Sequence, residues 1–279
     1  MDEVIPINEL ADLRRTRYRQ TKENFVRSED DALDFINEMG FVWLIDPSEA
    51  DLPSVHLASP SPYKPSGHRY VQNAASWWDL KQTLPGRKAC YYSKVLRGRG
   101  TFISWDCFPL FYAVYATGND YRHDYREGIL SRDEKRVLDL VGGAPEISTH
   151  ELRRKFGTPG KDTTRAMDRA LQNLQETFRI TVAGGSLEGW SLHNWALVED
   201  WVPAECLERA RQLDPSTAKR ELTLRYVRMA IAASVGDIAW VFRWKRREVA
   251  PLVDDLVRES RLREVEVPDL PGILFSTGD

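Results

Sequence analysis

The 279-residue chain has three cysteines, four methionines and five histidines, and each scarcity excludes something. Cys90, Cys107 and Cys206 are odd in number and far apart. They supply neither a disulfide framework nor the paired spacing of a zinc site, and they suit a reducing cytosol. No run of about 18 apolar residues offers a transmembrane helix. The opening MDEVIPINELADLRR begins acidic and lacks the apolar core of a signal peptide. There is no Gly-x-x-x-x-Gly-Lys phosphate loop and no HExxH, and the RGRG of residues 97–100 lacks the strand-to-helix setting of a dinucleotide fingerprint. His56, His68, His123, His150 and His193 are scattered. The pair His123-Asp124 gives two ligands, which do not make a metal site. Neither a metal nor a cofactor is expected.

What is present describes a globular protein of two or three domains: 42% hydrophobic and 29% charged residues. The net charge of −3 and a pI near 6 exclude a uniformly basic nucleic-acid binder but leave room for a local basic face.

Along the chain, the first thirty residues read as a helical arm crowded with Arg14, Arg15, Arg17, Arg19 and Lys22. A helix follows in SEDDALDFINEMG, with Ser28 as N-cap and Gly40 as its end, and FVWLID is a short buried strand stopped by Pro47. Ser59–His68 is a loop by composition. A Trp-rich helix over Ala74–Gln82 and a turn at Pro85-Gly86 come next. Tyr91–Leu96 and Thr101–Trp105, separated by RGRG, read as a β-hairpin, and Phe108–Tyr115 begins another helix. From Ser131 the pattern is regular. SRDEKRVLDLV and STHELRRKF each carry Ser followed three residues later by Glu, the signature of a capping box. TTRAMDRALQNLQETF is a third helix, facing inward with Ala166, Met167, Ala170, Leu171, Leu174 and Phe178. RITVAG and WSLHNWAL are two strands after it. Three helices followed by a two-stranded wing is the order of a winged helix. The order recurs in LTLRYVRMAIAAS, SVGDIAWVF, RREVAPLVDDLVRES, REVEV and GILFS. Glu151, Leu152 and Phe156 match Asp237, Ile238 and Phe242 at a single offset of 86 residues, which suggests duplicated small domains. The expected fold is therefore mainly α with small β-wings (α+β), a set of tandem winged-helix domains with a β-hairpin. Its expected divisions are 1–125, a winged-helix-like domain with the basic aromatic hairpin region, 126–202, a winged helix, and 203–279, a C-terminal winged helix.

Charge singles out one stretch. Pro62–Gly100 holds eight cations, Lys64, Arg69, Lys81, Arg87, Lys88, Lys94, Arg97 and Arg99, against one acid, Asp79, for a net +7. Tyr63, Tyr70, Trp77, Trp78, Tyr91 and Tyr92 are interleaved with them. Cations track phosphates, and aromatic rings stack on exposed bases or wedge into a duplex. In a winged helix the third helix enters the major groove, so Lys161, Arg165 and Arg169, with Gln172 and Gln175, are candidates for DNA contact. A plain solvated face would look the same on a lone helix, and Trp77 and Trp78 also suit a core.

These residues resemble the AlkZ/YcaQ-type winged-helix DNA glycosylases, and more narrowly the shorter AlkZ-related proteins. FINEMGFVWLID, YYSKVLRGRGTFIS, FYAVYATGNDYRHDYREGILSRDEKRVLDLV and ISTHELRRKFG…RAMDRALQNLQ carry the resemblance, which runs from about Phe35 to the C-terminus. It implies tandem winged helices curled round damaged double-stranded DNA, a probing hairpin, and hydrolysis of the N-glycosidic bond of alkylated or cross-linked bases. A monomeric, metal-independent enzyme of the cytoplasm, associated with the nucleoid, is expected. The family's catalytic Gln-x-Gln or Gln-x-Asp falls on Leu44-Ile45-Asp46, so Asp46 takes the acidic place and Leu44 replaces a glutamine. Glu49 and Asp51 follow closely and are alternative acids or bases. One carboxylate suffices in principle, because it can stabilise an oxocarbenium-like state and position water. Asp46-Pro47-Ser48 is also an ordinary turn sequence. Two other functions stay open: a winged-helix DNA-binding protein without catalysis, acting as lesion sensor or regulator, and a winged-helix scaffold for other proteins.

Overall fold

A computed structural model of the chain describes residues 3–46, 51–60, 77–117, 120–158, 160–187 and 193–277. The chain forms two compact units, one from Met1–Trp77 with Asp214–Asp279, the other from the continuous stretch Trp78–Leu213.

The first unit opens with β1 (Glu3–Val4) and α1 (Ile7–Arg17). α2 (Glu29–Met39) starts at Ser28, whose hydroxyl accepts from the Asp31 N–H while the Asp31 carboxylate accepts from the Ser28 N–H. The two bonds satisfy donors that the helix itself cannot. Gly40 ends the helix at φ 85, and a Cβ there would come within 2.6 Å of the Arg225 guanidinium, so both backbone and space call for glycine. β2 (Phe41–Trp43) is buried, and α3 (Val55–Ala58) is capped by Ser54.

The second unit begins with α4 (Leu80–Gly86), so Pro85-Gly86 is the helix's last turn rather than a free one; of the Trp-rich segment, residues 74–76 lie outside the described residues. β3 (Tyr91–Ser93) and β4 (Thr101–Ile103) pair antiparallel, with Tyr92 opposite Phe102. α5 (Phe108–Tyr115) spans the expected residues, and α6 (Tyr121–Arg126) follows. Then come α7 (Arg132–Val141), held by the Ser131–Glu134 capping box, β5 (Ile147–Ser148), α8 (Thr149–Phe156), α9 (Lys161–Glu176), β6 (Ile180–Gly185) and β7 (His193–Leu197). β7 pairs antiparallel with β6 on one edge and β5 on the other. α10 (Val198–Trp201) and α11 (Ala204–Gln212) close the unit. The buried guanidinium of Arg179, beside β6, is ion-paired with the buried Asp124 of α6. α4 lies over β6 at a glycine contact: a Cβ on Gly184 would sit 2.9 Å from the Cα of Gly86.

The first unit resumes with α12 (Pro215–Ala230), α13 (Val235–Phe242), α14 (Arg246–Arg258) and the antiparallel strands β8 (Arg263–Glu266) and β9 (Leu274–Ser276). β1 joins them in parallel on β8, over a small core of Ile5, Leu10, Ala232, Val265, Val267 and Leu274. The two helix–helix–wing series thus fall one in each unit. Their shared offset is physical. Ser148 and Ser234 both cap the middle helix, and Leu152 and Ile238, like Phe156 and Phe242, are buried beneath it.

Candidate functional site

The loop that carries Asp46 is closed at its base by two backbone bonds. The Trp43 N–H donates to the Pro53 carbonyl at 2.9 Å, and the His56 N–H donates to the Leu44 carbonyl at 3.1 Å. Leu44 is only 4% exposed, so its side chain is part of the core. Ile45 is exposed and Asp46 half-buried. Glu49 lies outside the described residues. Asp51, at the far side of the loop, is exposed but tied. Its carboxylate meets Arg14 Nη1 at 2.6 Å, and its carbonyl accepts from the Tyr18 hydroxyl at 3.2 Å. Arg14 has two further bonds, Nε to the Ala230 carbonyl at 2.9 Å and Nη2 to the Ala232 carbonyl at 2.7 Å. These carbonyls flank Ile231, which has φ 67 and ψ −49, while the Ala232 N–H donates back to Ala230. That is a γ-turn of the strained kind at the end of α12. One guanidinium thus binds α1, the end of α12 and the loop of Asp46. Asp51 thereby anchors the loop to α1. The sequence shows only a crowd of arginines, because two of the three partners of Arg14 stand more than 200 residues away.

The candidate nucleic-acid surface of the second unit is assembled from two segments that meet. Gln175 of α9, 2% exposed, accepts from the Lys94 N–H at 3.1 Å and the Ser93 hydroxyl at 3.3 Å, and its amide donates to the Leu171 carbonyl at 2.9 Å. Gln172 donates to Glu176, and its amide lies where a Cβ on Gly98 would be, 2.5 Å away. The hairpin tip therefore rests on the C-terminal half of α9. Gln175 is spent on the hairpin and so is not available to read bases as the sequence suggested, while Gln172 is half-buried and bonds Glu176 within α9. The tip itself is a tight turn in which the Arg99 N–H donates to the Leu96 carbonyl, with Arg97 at φ 56 and Gly98 at φ 67. Two successive left-handed residues are what a type I′ hairpin turn needs.

Lys94, Arg97, Lys161, Arg165 and Arg169 are exposed, and Arg99 is partly so. The N-terminal half of α9 is left open, with Arg165 3.8 Å from Asp162. Arg87 is exposed. Lys88 is used internally: its Nζ donates to the Trp201 carbonyl at 2.9 Å, and its own carbonyl accepts from Trp105 Nε1 at 2.8 Å. Lys64 and Arg69 lie outside the described residues.

The aromatic expectations divide. Tyr91 and Tyr92, expected to stack on bases, are packed inside. Tyr91 lies parallel to Phe178 with centroids 5.3 Å apart, and Tyr92 packs on Phe102 at 4.7 Å. Pairing in β3 turns both rings to neighbours, so neither offers a face, and burial pushes both phenols far up. Trp77, half-buried, packs against His56 at 4.8 Å. Trp78 lies under the ammonium of Lys81, 3.2 Å from the ring centroid. Lys81 is itself 2% exposed rather than presented to solvent. Burial, with a smaller push from Lys94, lowers it to about 8.

Among the described residues no group of three His, Cys, Asp or Glu side chains is placed to hold a metal, and no helix is long and apolar enough to cross a membrane.

Residues 26–243 match the family described as AlkZ related. No curated protein sequence matches the chain. Among solved structures, the chain is similar to Streptomyces sahachiroi DNA glycosylase AlkZ, with a TM-score of 0.60 and 12% identity, covering 99% of this chain and 70% of that one. At that identity the likeness is one of fold, and the α+β winged-helix expectation holds.

Proposed function

The chain belongs to the AlkZ-related family, and from that membership we propose that it is a DNA-repair protein of the cytoplasm, a monofunctional glycosylase that hydrolyses the N-glycosidic bond of alkylated, bulky or cross-linked bases in duplex DNA. The observation that supports this most is the family match over residues 26–243, which runs through the Asp46 loop, the hairpin and α9.

In this reading Asp46 positions the attacking water and stabilises positive charge on the sugar as the bond to the base breaks. An N7-alkylated purine already carries positive charge, so it departs without a strong general acid. The Trp43 and His56 amides close the base of the loop that carries Asp46, and a group acting through geometry works from such a frame. Lys161, Arg165, Arg169, Lys94, Arg97 and Arg99 contact phosphates. Leu44 supports a second reading, a DNA-binding protein without turnover. It is buried and offers no amide where the family resemblance expects one.

The test is release of free N7-methylguanine from methylated duplex DNA. Release by the wild type and not by Asp46→Asn establishes the glycosylase. Salt-dependent duplex binding with no release of any alkylated base establishes the second reading. If Asp46→Asn keeps full activity, Asp46 loses its role.

A further inference from the structure

Two residues past the buried Leu44 stands Asp46, and the chain returns through Asp51, Leu52, Pro53 and Ser54. Leu52, Ser54 and Val55 are buried on this return limb. The limb is laced to the outgoing one at two places. Trp43 donates to the Pro53 carbonyl and bridges Ser54, and the Leu44 carbonyl accepts from the His56 N–H. At its start, Asp51 is held twice over from α1 and its C-cap. Arg14 Nη1 meets the carboxylate at 2.6 Å, and the Tyr18 hydroxyl donates to the carbonyl at 3.2 Å. A continuous path thus runs from Arg14 through Asp51, Pro53, Trp43 and Leu44 to Asp46.

Arg14 is itself held firmly. Its side chain is 15% exposed, and its two other bonds go to the carbonyls of Ala230 and Ala232. A guanidinium carries its donors in one rigid plane, so three acceptors on three segments fix its place. The carbonyls it holds flank Ile231 at φ 67, a left-handed setting that a β-branched residue rarely takes. Arg17 adds a bond from α1 to the Arg228 carbonyl. Such strain persists only where the surroundings over-determine it, and it gathers at functional sites. Here the strained turn and the loop of the candidate carboxylate share one guanidinium.

We infer that Arg14 is a positioning residue for Asp46, acting through Asp51 without touching the DNA. The inference rests on the glycosylase reading above. Arg14 sets where the returning limb lies, that limb sets Leu44, and Leu44 sets the backbone from which the Asp46 carboxylate reaches the sugar. A carboxylate that works by placement loses rate steeply when its frame shifts. Asp51 is then an acceptor and not a reacting acid or base. The two roles separate cleanly, because asparagine still accepts from a guanidinium and cannot titrate.

The experiment uses the full chain and methylated duplex, with enzyme in excess, and follows release of N7-methylguanine in a single turnover. The rate constant at saturating enzyme is independent of the fraction folded. A merely structural loss therefore raises the enzyme concentration needed and leaves that rate constant in place. Expected is a fall of about 10–100-fold in Arg14→Met and about tenfold in Asp51→Ala. Asp51→Asn keeps the wild-type rate to within about threefold, and the double mutant Arg14→Met/Asp51→Ala is no slower than Arg14→Met, since both cut one link. Hydrogen exchange of the Trp43 and His56 amides quickens in Arg14→Met and Asp51→Ala alike. Should Arg14→Met fail to fold, the alanine and asparagine variants of the exposed Asp51 decide. Saturating rates that Arg14→Met and Asp51→Ala leave unchanged overturn the inference and spare the glycosylase. Asp51→Asn as slow as Asp51→Ala makes Asp51 a reacting group and overturns it too. A wild type that releases no base overturns the glycosylase reading and this inference with it.

Discussion

Arg14 reaches the carboxylate of Asp51 at 2.6 Å while the rest of its guanidinium holds the carbonyls of Ala230 and Ala232. The two residues are unequal partners. The Arg14 side chain is 15% exposed and that of Asp51 53%, so solvent screens the ion pair while the carbonyl bonds are sheltered.

Asp51→Asn is therefore expected to cost no more than about 1 kcal/mol. Arg14→Met leaves sheltered carbonyls without donors and is expected to cost about 2–4 kcal/mol. Urea midpoints of the two variants and the double mutant measure the difference. Equal losses would make the ion pair the main bond.

Leu44→Gln restores the residue that the family resemblance expects and places an amide in the core. Its expected cost is roughly 1–3 kcal/mol, a fall of several degrees in melting temperature, whereas Leu44→Met stays within about 1.5 kcal/mol. A glutamine variant as stable as the wild type would show that the side chain at 44 turns to a polar cleft.

His193 should make the fold sensitive to acid. Its folded pKa, about 3, lies below its unfolded value. As pH falls below about 6.5 the unfolded chain takes up a proton that the fold refuses. The stability His193 contributes is therefore full above about 6.5 and drains as pH falls toward the folded value, by at most about 1.4 kcal/mol per unit. His193→Gln should flatten that part of the curve of urea midpoint against pH. Parallel curves for variant and wild type would remove the effect.

Much of this architecture was legible because its signals are short-ranged. Ser28, Ser131, Ser148 and Ser234 start helices with partners three residues on, and the repeat follows from their spacing. The site was less so. Tyr91 and Tyr92 sit among cations in sequence, and only strand pairing shows that they face inward. Gln172 and Gln175 have the right chemistry to read bases, but the hairpin, about 80 residues earlier, occupies Gln175, and Glu176 takes the amide of Gln172. Lys81 differs from the exposed Arg87 and Lys94 in being buried on α4. Composition has no access to that.

The parallel pairing of β1 with β8 has a consequence for how the protein is made. The second unit is one unbroken stretch and can collapse as soon as it leaves the ribosome. The first unit is split around it. β1 and α1, although translated before the second unit, have no sheet to join and no α12 carbonyls for Arg14 to clasp until the segment beyond that unit has been synthesised. A segment made before the second unit is thus secured after it, and a ribosome stalled before β8 would leave β1 without its partner strand.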